Sequence, residues 1–185
     1  MRVGSILSGV ASCLPGGNAW LFRRYRRRRP DAGTASARYC YAVWLRHLVH
    51  ANKLGLLSGT PRVVAEVGPG NSLGTGLAAL ISGASRYYAF DVMTYSPNDE
   101  NLKVFDQLVE LFQAREPIPT GGEFSAIKTS LDSYNFPDEI LSDRALREAL
   151  DPARIRLIRN ALKNGGQNPG PDSLIAYVVP WLAGE

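Results

Sequence analysis

The chain has 185 residues, a length that suits one domain with a core large enough to need no disulfide or metal crosslinks. Its hydrophobic fraction of 45% and charged fraction of 21% are typical of a soluble globular protein. No apolar run approaches the ~18–20 residues of a membrane-spanning helix, which argues against a membrane-embedded domain.

Most of the basic excess lies in residues 1–37, which we interpret as a basic N-terminal extension. The net charge is +4, and residues 20–30 read WLFRRYRRRRP with six arginines, so the remainder is close to neutral or slightly acidic. An apolar stretch at residues 6–14 precedes the arginines, the reverse of the order in a signal peptide. The run Arg23–Arg29 is compatible with a solvated tail, with an anionic membrane surface and with nucleic acid, and the sequence does not separate the last two.

Two cysteines, Cys13 and Cys40, show neither the spacing of a disulfide framework nor that of a redox motif. We interpret them as reduced thiols of a cytoplasmic protein. If the arginine run contacts lipid, the protein would lie at the periphery of the membrane. His47 and His50 lie three residues apart on a predicted helix near Cys40, but no further ligands cluster with them. We therefore predict no metal site.

Residues 38–185 are predicted to form one α/β domain. A helix is expected over Ala37–Leu57, where Tyr41 and Trp44 share an apolar stripe. Together with Tyr39 they could cover a bound cofactor, but their helical spacing is more typical of core residues. Further along, we predict strands at residues 62–67, 86–92 and 173–179 and helices at residues 73–82, 99–115, 138–150 and 152–162, with an irregular segment at residues 116–137. This order predicts a partial doubly wound (Rossmann-like) parallel sheet of about three strands with an N-terminal helical extension.

A glycine-rich turn between the first two predicted strands carries the chemistry. In Gly68-Pro69-Gly70 the two glycines let the backbone turn sharply and let a ligand approach closely. We expect the amides of Asn71–Gly74 to be free donors at the start of the next helix. Asp91 ends the second strand, 21 residues after Gly70, where its carboxylate can accept both hydroxyls of a ribose. The pattern therefore predicts a cofactor that contains adenosine.

Two details discriminate among such cofactors. Glu66 lies in the first strand, two residues before Gly68, and its carboxylate suits a cofactor with a positive amino-acid end better than an anionic pyrophosphate. The spacing of Gly68, Gly70 and Gly74 also departs from the dinucleotide pattern G-x-G-x-x-G, and no Gly-Lys-Ser/Thr of a P-loop is present.

The run AEVGPG at residues 65–70, with an acidic residue ending the next strand, resembles the first two motifs of class I S-adenosylmethionine-dependent methyltransferases. The longer form AEVGPGNSLGTGLAALISGA followed by YYAFDV is similar to a little-characterised bacterial group of these enzymes, and so is GTASARYCYAVWLRH at residues 33–47. The resemblance implies S-adenosyl-L-methionine as cofactor, with its methionine part held by Glu66, Gly68, Gly70 and the neighbouring amides. Its ribose would be held by Asp91. The third motif position, often glycine in the class, is Ser72 here. The expected cofactor-binding residues are Glu66, Gly68, Pro69, Gly70, Asn71, Ser72, Gly74 and Asp91.

The same resemblance implies seven strands in a complete fold, of which the sequence predicts three. We therefore expect a C-terminally truncated cofactor-binding half that is inactive alone. Three things could cover the open edge of its first strand: self-association, a partner that supplies the missing strands, or the rest of a longer natural chain, which we favour. No catalytic residue is nominated, and a small-molecule or glycan substrate is an expectation from fold and family alone. The alternative is a non-catalytic protein that binds a nucleotide or S-adenosylmethionine and acts through a partner.

Overall fold

The computed structural model describes residues 33–92, 98–164 and 173–181, which form an α/β fold. A short 3-10 turn, Gly33–Ala35, leads into helix α1 (Ala37–Lys53). Ser36 begins this helix, because its hydroxyl accepts a hydrogen bond from the amide of Tyr39 at 3.3 Å.

Helix α1 ends before the predicted Leu57. The amide of Gly55 donates to the carbonyl of Asn52 at 3.0 Å, and the amide of Leu56 donates to the carbonyl of Ala51 at 2.9 Å. This pair of bonds is a Schellman motif, and it requires the left-handed backbone that Gly55 adopts at φ +69°. Local turn chemistry therefore stops the helix although the apolar pattern continues.

Three parallel strands form the sheet in the order β1-β2-β3. The chain runs through β1 (Val63–Val67), helix α2 (Gly74–Ile81) and β2 (Arg86–Phe90), and it reaches β3 (Ile175–Val178) only after the remaining helices. The parallel sheet confirms the predicted α/β class and its partial Rossmann-like architecture. Each strand is one or more residues shorter than the sequence predicted.

Three helices connect β2 to β3: α3 (Asn98–Ala114), α4 (Asp143–Ala149) and α5 (Pro152–Lys163). Helices α3 and α5 lie close to their predicted ranges. Helix α4 begins later than the predicted start at residue 138, because the amides of residues 140 and 141 turn back onto the carbonyl of Pro137. Asp151 caps α5 by accepting from the amides of residues 153 and 154 at 2.9 and 3.2 Å.

The two faces of the sheet have different neighbours. Helix α2 packs on β1 and β2, and α1 and α3 pack on α2. We call this side the covered face; Val64, Glu66, Tyr87 and Ala89 point toward it, as the alternation of burial along the strands requires. The opposite side, the open face, carries Val63, Ala65 and Val67 of β1 with Arg86, Tyr88 and Phe90 of β2. No described helix covers the β1 residues of that face.

The segment Gly33–Ala37 packs with the domain, since Ala35 and Ala37 are buried and Thr34 contacts the glycine turn. The extension predicted at residues 1–37 therefore overlaps the domain at its end. The apolar stretch at residues 6–14, the arginine run Arg23–Arg29 and Cys13 lie outside the described residues. None of the described helices combines the length and apolarity needed to cross a bilayer.

Candidate functional site

The glycine turn lies at the carboxyl end of β1, as predicted. Gly68 and Gly70 both have left-handed backbones, at φ +69° and +81°, which side chains rarely tolerate. The amide of Gly68 donates to the carbonyl of Phe90 at 2.8 Å, so the turn starts beside the end of β2. Pro69 between the glycines is buried. A Cβ atom on Gly70 would lie 3.0 Å from Oγ1 of Thr34, which restricts this position to glycine by space as well as by φ.

Asp91 follows β2 directly and is 6% exposed. Its amide donates to the carbonyl of Val178 at 3.1 Å, and its Oδ1 accepts from the amide of Val92 at 2.8 Å. Because Gly68 is hydrogen-bonded to Phe90, the residue just before Asp91, the structure brings the glycine turn and this carboxylate together at the carboxyl ends of the strands. The sequence predicted this juxtaposition.

The amides after the turn are not free, contrary to our expectation. Those of Asn71 and Ser72 donate to Oγ1 of Thr34 at 2.8 and 3.3 Å. The amide of Leu73 donates to Oδ1 of Asn101 at 2.8 Å, and the amide of Gly74 donates to the Ser72 hydroxyl at 3.0 Å. The donors of Asn71–Gly74 therefore already have protein acceptors, and Asn71 and Ser72 are themselves buried.

Thr34 and Asn101 are the residues that sequence reasoning missed at this site. Thr34 also accepts the Ser72 hydroxyl at its carbonyl, so one residue outside the turn holds two consecutive turn residues. Asn101 lies in the first turn of α3 and is 1% exposed, which is unusual for an asparagine. A polar residue in the buried stripe of α3 is the signal that could have identified it.

Glu66 points to the covered face, beneath the start of α2. Its Oε2 accepts a hydrogen bond from the Tyr87 hydroxyl at 2.6 Å. Burial raises the pKa of this carboxyl above its usual range, and polar groups of Tyr87, Thr75 and Gly76 oppose that shift. The carboxylate thus lies beside the first turn of α2, where the helix dipole favours negative charge.

A buried polar cluster surrounds this carboxylate. The Cys40 thiol donates to the Thr34 carbonyl at 3.4 Å, and burial, assisted by the negative charge of Glu66, raises its pKa to about 12. Burial and Glu66 likewise raise the pKa of the Tyr87 hydroxyl. The thiol is therefore protonated and unreactive at neutral pH. The members of this cluster are Thr34, Cys40, Glu66, Ser72, Thr75 and Tyr87.

Gly74 has a packing function in this structure. A Cβ on Gly74 would overlap Sγ of Cys40 and press on Val104, so glycine lets α2 approach α1 and α3. A Cβ on Gly76 would overlap the ring of Tyr87, so glycine there lets α2 approach the sheet. The glycine pattern of the sequence therefore combines two requirements, one of the turn and one of the helix.

The aromatic residues of α1 belong mainly to the core. Tyr41 and Trp44 are 0% and 5% exposed, and Trp44 donates its indole N–H to the Ser82 hydroxyl at 2.8 Å. Tyr39 is half-buried against the ring of Phe124. His50 contacts the carbonyl of Ser130 at 3.2 Å on the far part of the helix.

Among the described residues, no three His, Cys, Asp or Glu side chains are placed to hold a metal ion together. No protein-family model, curated protein or solved structure matches the chain. The chemistry of the carboxyl edge of the sheet is therefore the basis on which a function can be assigned.

Proposed function

We propose that the chain binds S-adenosyl-L-methionine at the carboxyl ends of its strands, as a class I methyltransferase or the cofactor-binding fragment of one. The observation that carries this proposal is the left-handed turn at Gly68 and Gly70 beside the Asp91 carboxylate. A backbone without side chains offers close approach to a ligand, and an acidic residue at the end of the neighbouring strand offers a ribose acceptor.

Electrostatics favour a cofactor without phosphate groups. Anionic cofactors bind at helix N-termini through free backbone amides, but the amides of Asn71–Gly74 have protein acceptors. The carboxylate of Glu66 in addition occupies the first turn of α2. A pyrophosphate placed there would find its donors taken and a negative charge beside it. Adenosylmethionine carries no phosphate and has a cationic sulfonium and amino group.

Glu66 supports binding by its negative potential. Burial raises the pKa of the Glu66 carboxyl, and a cation nearby would favour the ionised form. The free energy of that interaction would be available to the cofactor and to its product, S-adenosylhomocysteine, through the amino group they share. Glu66 has this role at a distance, since its hydrogen bond to Tyr87 stays within the fold.

Methyl transfer is an in-line displacement at a sulfonium methyl, for which an enzyme supplies mainly orientation and sometimes a base. A binding protein without transferase activity would use the same edge of the sheet, so cofactor binding is tested first and turnover second.

Calorimetry with S-adenosylhomocysteine, NAD and ATP tests the cofactor class. We expect binding of S-adenosylhomocysteine alone, and loss of about 2 kcal/mol, or roughly 30-fold in Kd, for Asp91→Ala, because the ribose loses a charged acceptor. Asp132→Ala is the matched control, since it removes an exposed carboxylate that pairs with Lys53 on the surface. Tighter binding of NAD or ATP, or equal affinities of the two variants, would contradict the proposal.

Gly70→Val offers a second test at the turn itself. The side chain would be strained at φ +81° and would press on Thr34, so we expect S-adenosylhomocysteine binding to be abolished. Circular dichroism should keep its helical signal, because the turn lies outside the helices. A radiolabelled methyl-transfer assay with cell extract then separates a methyltransferase from a non-catalytic binder.

A further inference from the structure

Strand β1 presents unpaired backbone groups at the edge of the sheet. Its pairing with β2 uses alternate residues: the Arg62 carbonyl accepts from the amides of residues 85 and 86, and the Gly68 amide donates to Phe90. By the alternation of a strand, the N–H and C=O groups of Val63, Ala65 and Val67 point away from β2. No described residue bonds to them.

The same three residues also expose apolar side chains on the open face. Val63 and Val67 are 56% and 68% exposed, which is high for valines in the first strand of a parallel sheet, where strands are normally buried on both faces. Within β1 the outward-facing positions carry no charge and no proline, the two devices that usually protect an edge strand from pairing. This edge is therefore chemically suited to receive another strand.

We propose that a second copy of this chain occupies the edge, with the two β1 strands antiparallel about a two-fold axis centred on Ala65. The outward residues read valine, alanine, valine in either direction, so Val63 faces Val67 of the other copy and Ala65 faces Ala65. Every outward N–H and C=O then exchanges hydrogen bonds with the residue opposite. The surface is self-complementary, as a closed two-fold dimer requires. The proposal is independent of the cofactor.

Charge determines the orientation of the pair. Arg62 is exposed immediately before β1, and Arg86 lies beside Val63 at the same end of the sheet. A parallel pairing in register would bring the two copies of Arg62 together, whereas the antiparallel pairing separates them by six residues along the strand, roughly 20 Å. The antiparallel dimer thus continues the sheet without like charges opposite one another.

Light scattering during size-exclusion chromatography tests the dimer over a range of concentrations of the full chain. We expect a dimer for the wild type and a shift of about tenfold or more in its dissociation constant for Val63→Lys, because lysine at an edge opposes pairing. Leu56→Lys is the control, since it makes the same change at a residue 74% exposed outside the sheet. Ala65→Pro is a second variant that removes one outward N–H without removing a bond to β2.

Hydrogen exchange by NMR identifies the interface residue by residue. We expect the amides of Val63, Ala65 and Val67 to become protected as the protein concentration rises, while those of residues 64 and 66, bonded to β2, are protected throughout. A monomer at all concentrations would overturn the proposal. It would also be overturned by a dimer in which the outward amides exchange freely, or by a monomer in which they are protected, since another interface or another segment would then be responsible.

Discussion

The two faces of strand β1 place polar and apolar groups in the reverse of the usual arrangement. On the covered face Glu66 and Tyr87 form a hydrogen-bonded pair under helix α2, in a position normally taken by apolar side chains. On the open face Val63 and Val67 are largely exposed. Both departures occur within five residues of a single strand, because successive side chains point to opposite faces.

The comparison shows that one short strand can serve two purposes. A buried polar pair is costly unless it is hydrogen-bonded, and here the Tyr87 hydroxyl donates to the carboxylate. An exposed apolar strand is costly unless something covers it. We therefore associate the covered face with support of the glycine turn and the outer edge of β1 with association, and variants on the two faces should respond differently.

The largest effect is expected for Gly76→Ala on the covered face. The added methyl group would overlap the ring of Tyr87, so α2 must move off the sheet or Tyr87 must leave its hydrogen bond to Glu66. We expect a loss of about 3 kcal/mol in the free energy of unfolding, measured with urea, although alanine is the better helix former. Gly121→Ala is the control, because nothing lies within 4 Å of its added Cβ. Equal losses for the two variants would refute this account of α2 packing.

A smaller effect is expected for Tyr87→Phe. The variant keeps the ring but removes the hydroxyl that donates to Glu66, leaving a buried carboxylate with one donor fewer. We expect a loss of about 1–2 kcal/mol of stability. Tyr88→Phe makes the identical change on the open face, where the hydroxyl accepts a long bond of 3.3 Å from Arg86, and it should be nearly neutral. Similar losses at both positions would show that the faces do not differ as described.

The local sequence was sufficient to predict the order of elements and the position of the turn. Apolar runs ending in glycines locate β1 and the turn, and the parallel order of strands brings Gly68 next to Asp91. The sequence did not reveal which partners the turn amides take. Thr34 is 37 positions along the chain from Asn71, and Asn101 is 28 positions from Leu73, the turn residues whose amides they accept. Only the tertiary fold brings such distant residues together.

The sequence also could not predict which face of the sheet each residue of β1 occupies. The run VVAEV is apolar at every position but one, and a strand buried on both sides and a strand open on one side share that pattern. The single polar residue would ordinarily be assigned to solvent, whereas the structure places Glu66 beneath α2. Its partners Tyr87 and Thr75 explain this choice, and they are recognisable only once the strands are paired in register.

The smallest effect we predict is the dependence of stability on pH that Glu66 contributes. Burial raises the pKa of this carboxyl in the folded protein above its ordinary value of 4.5, so the folded state holds the proton more tightly than the unfolded state. Its favourable contribution is therefore complete below pH 4.5 and is lost as pH rises through the folded pKa. Other carboxyls act in the opposite sense: Arg38 lowers the pKa of Glu123 and Lys53 lowers that of Asp132, and their contributions are lost on acidification.

The measurement that isolates Glu66 is consequently the difference between wild type and Glu66→Gln, followed by urea unfolding from pH 4 to pH 8. We expect the wild type to lose stability relative to the variant as pH rises, because glutamine keeps an acceptor for Tyr87 but cannot ionise. Neither Cys40 nor Tyr87 interferes, since both have pKa values raised far above this range. Saturating S-adenosylhomocysteine should reduce the difference if its amino group favours the ionised carboxylate. A difference that does not change with pH would mean that Glu66 has no raised pKa and that the covered face holds an ordinary carboxylate.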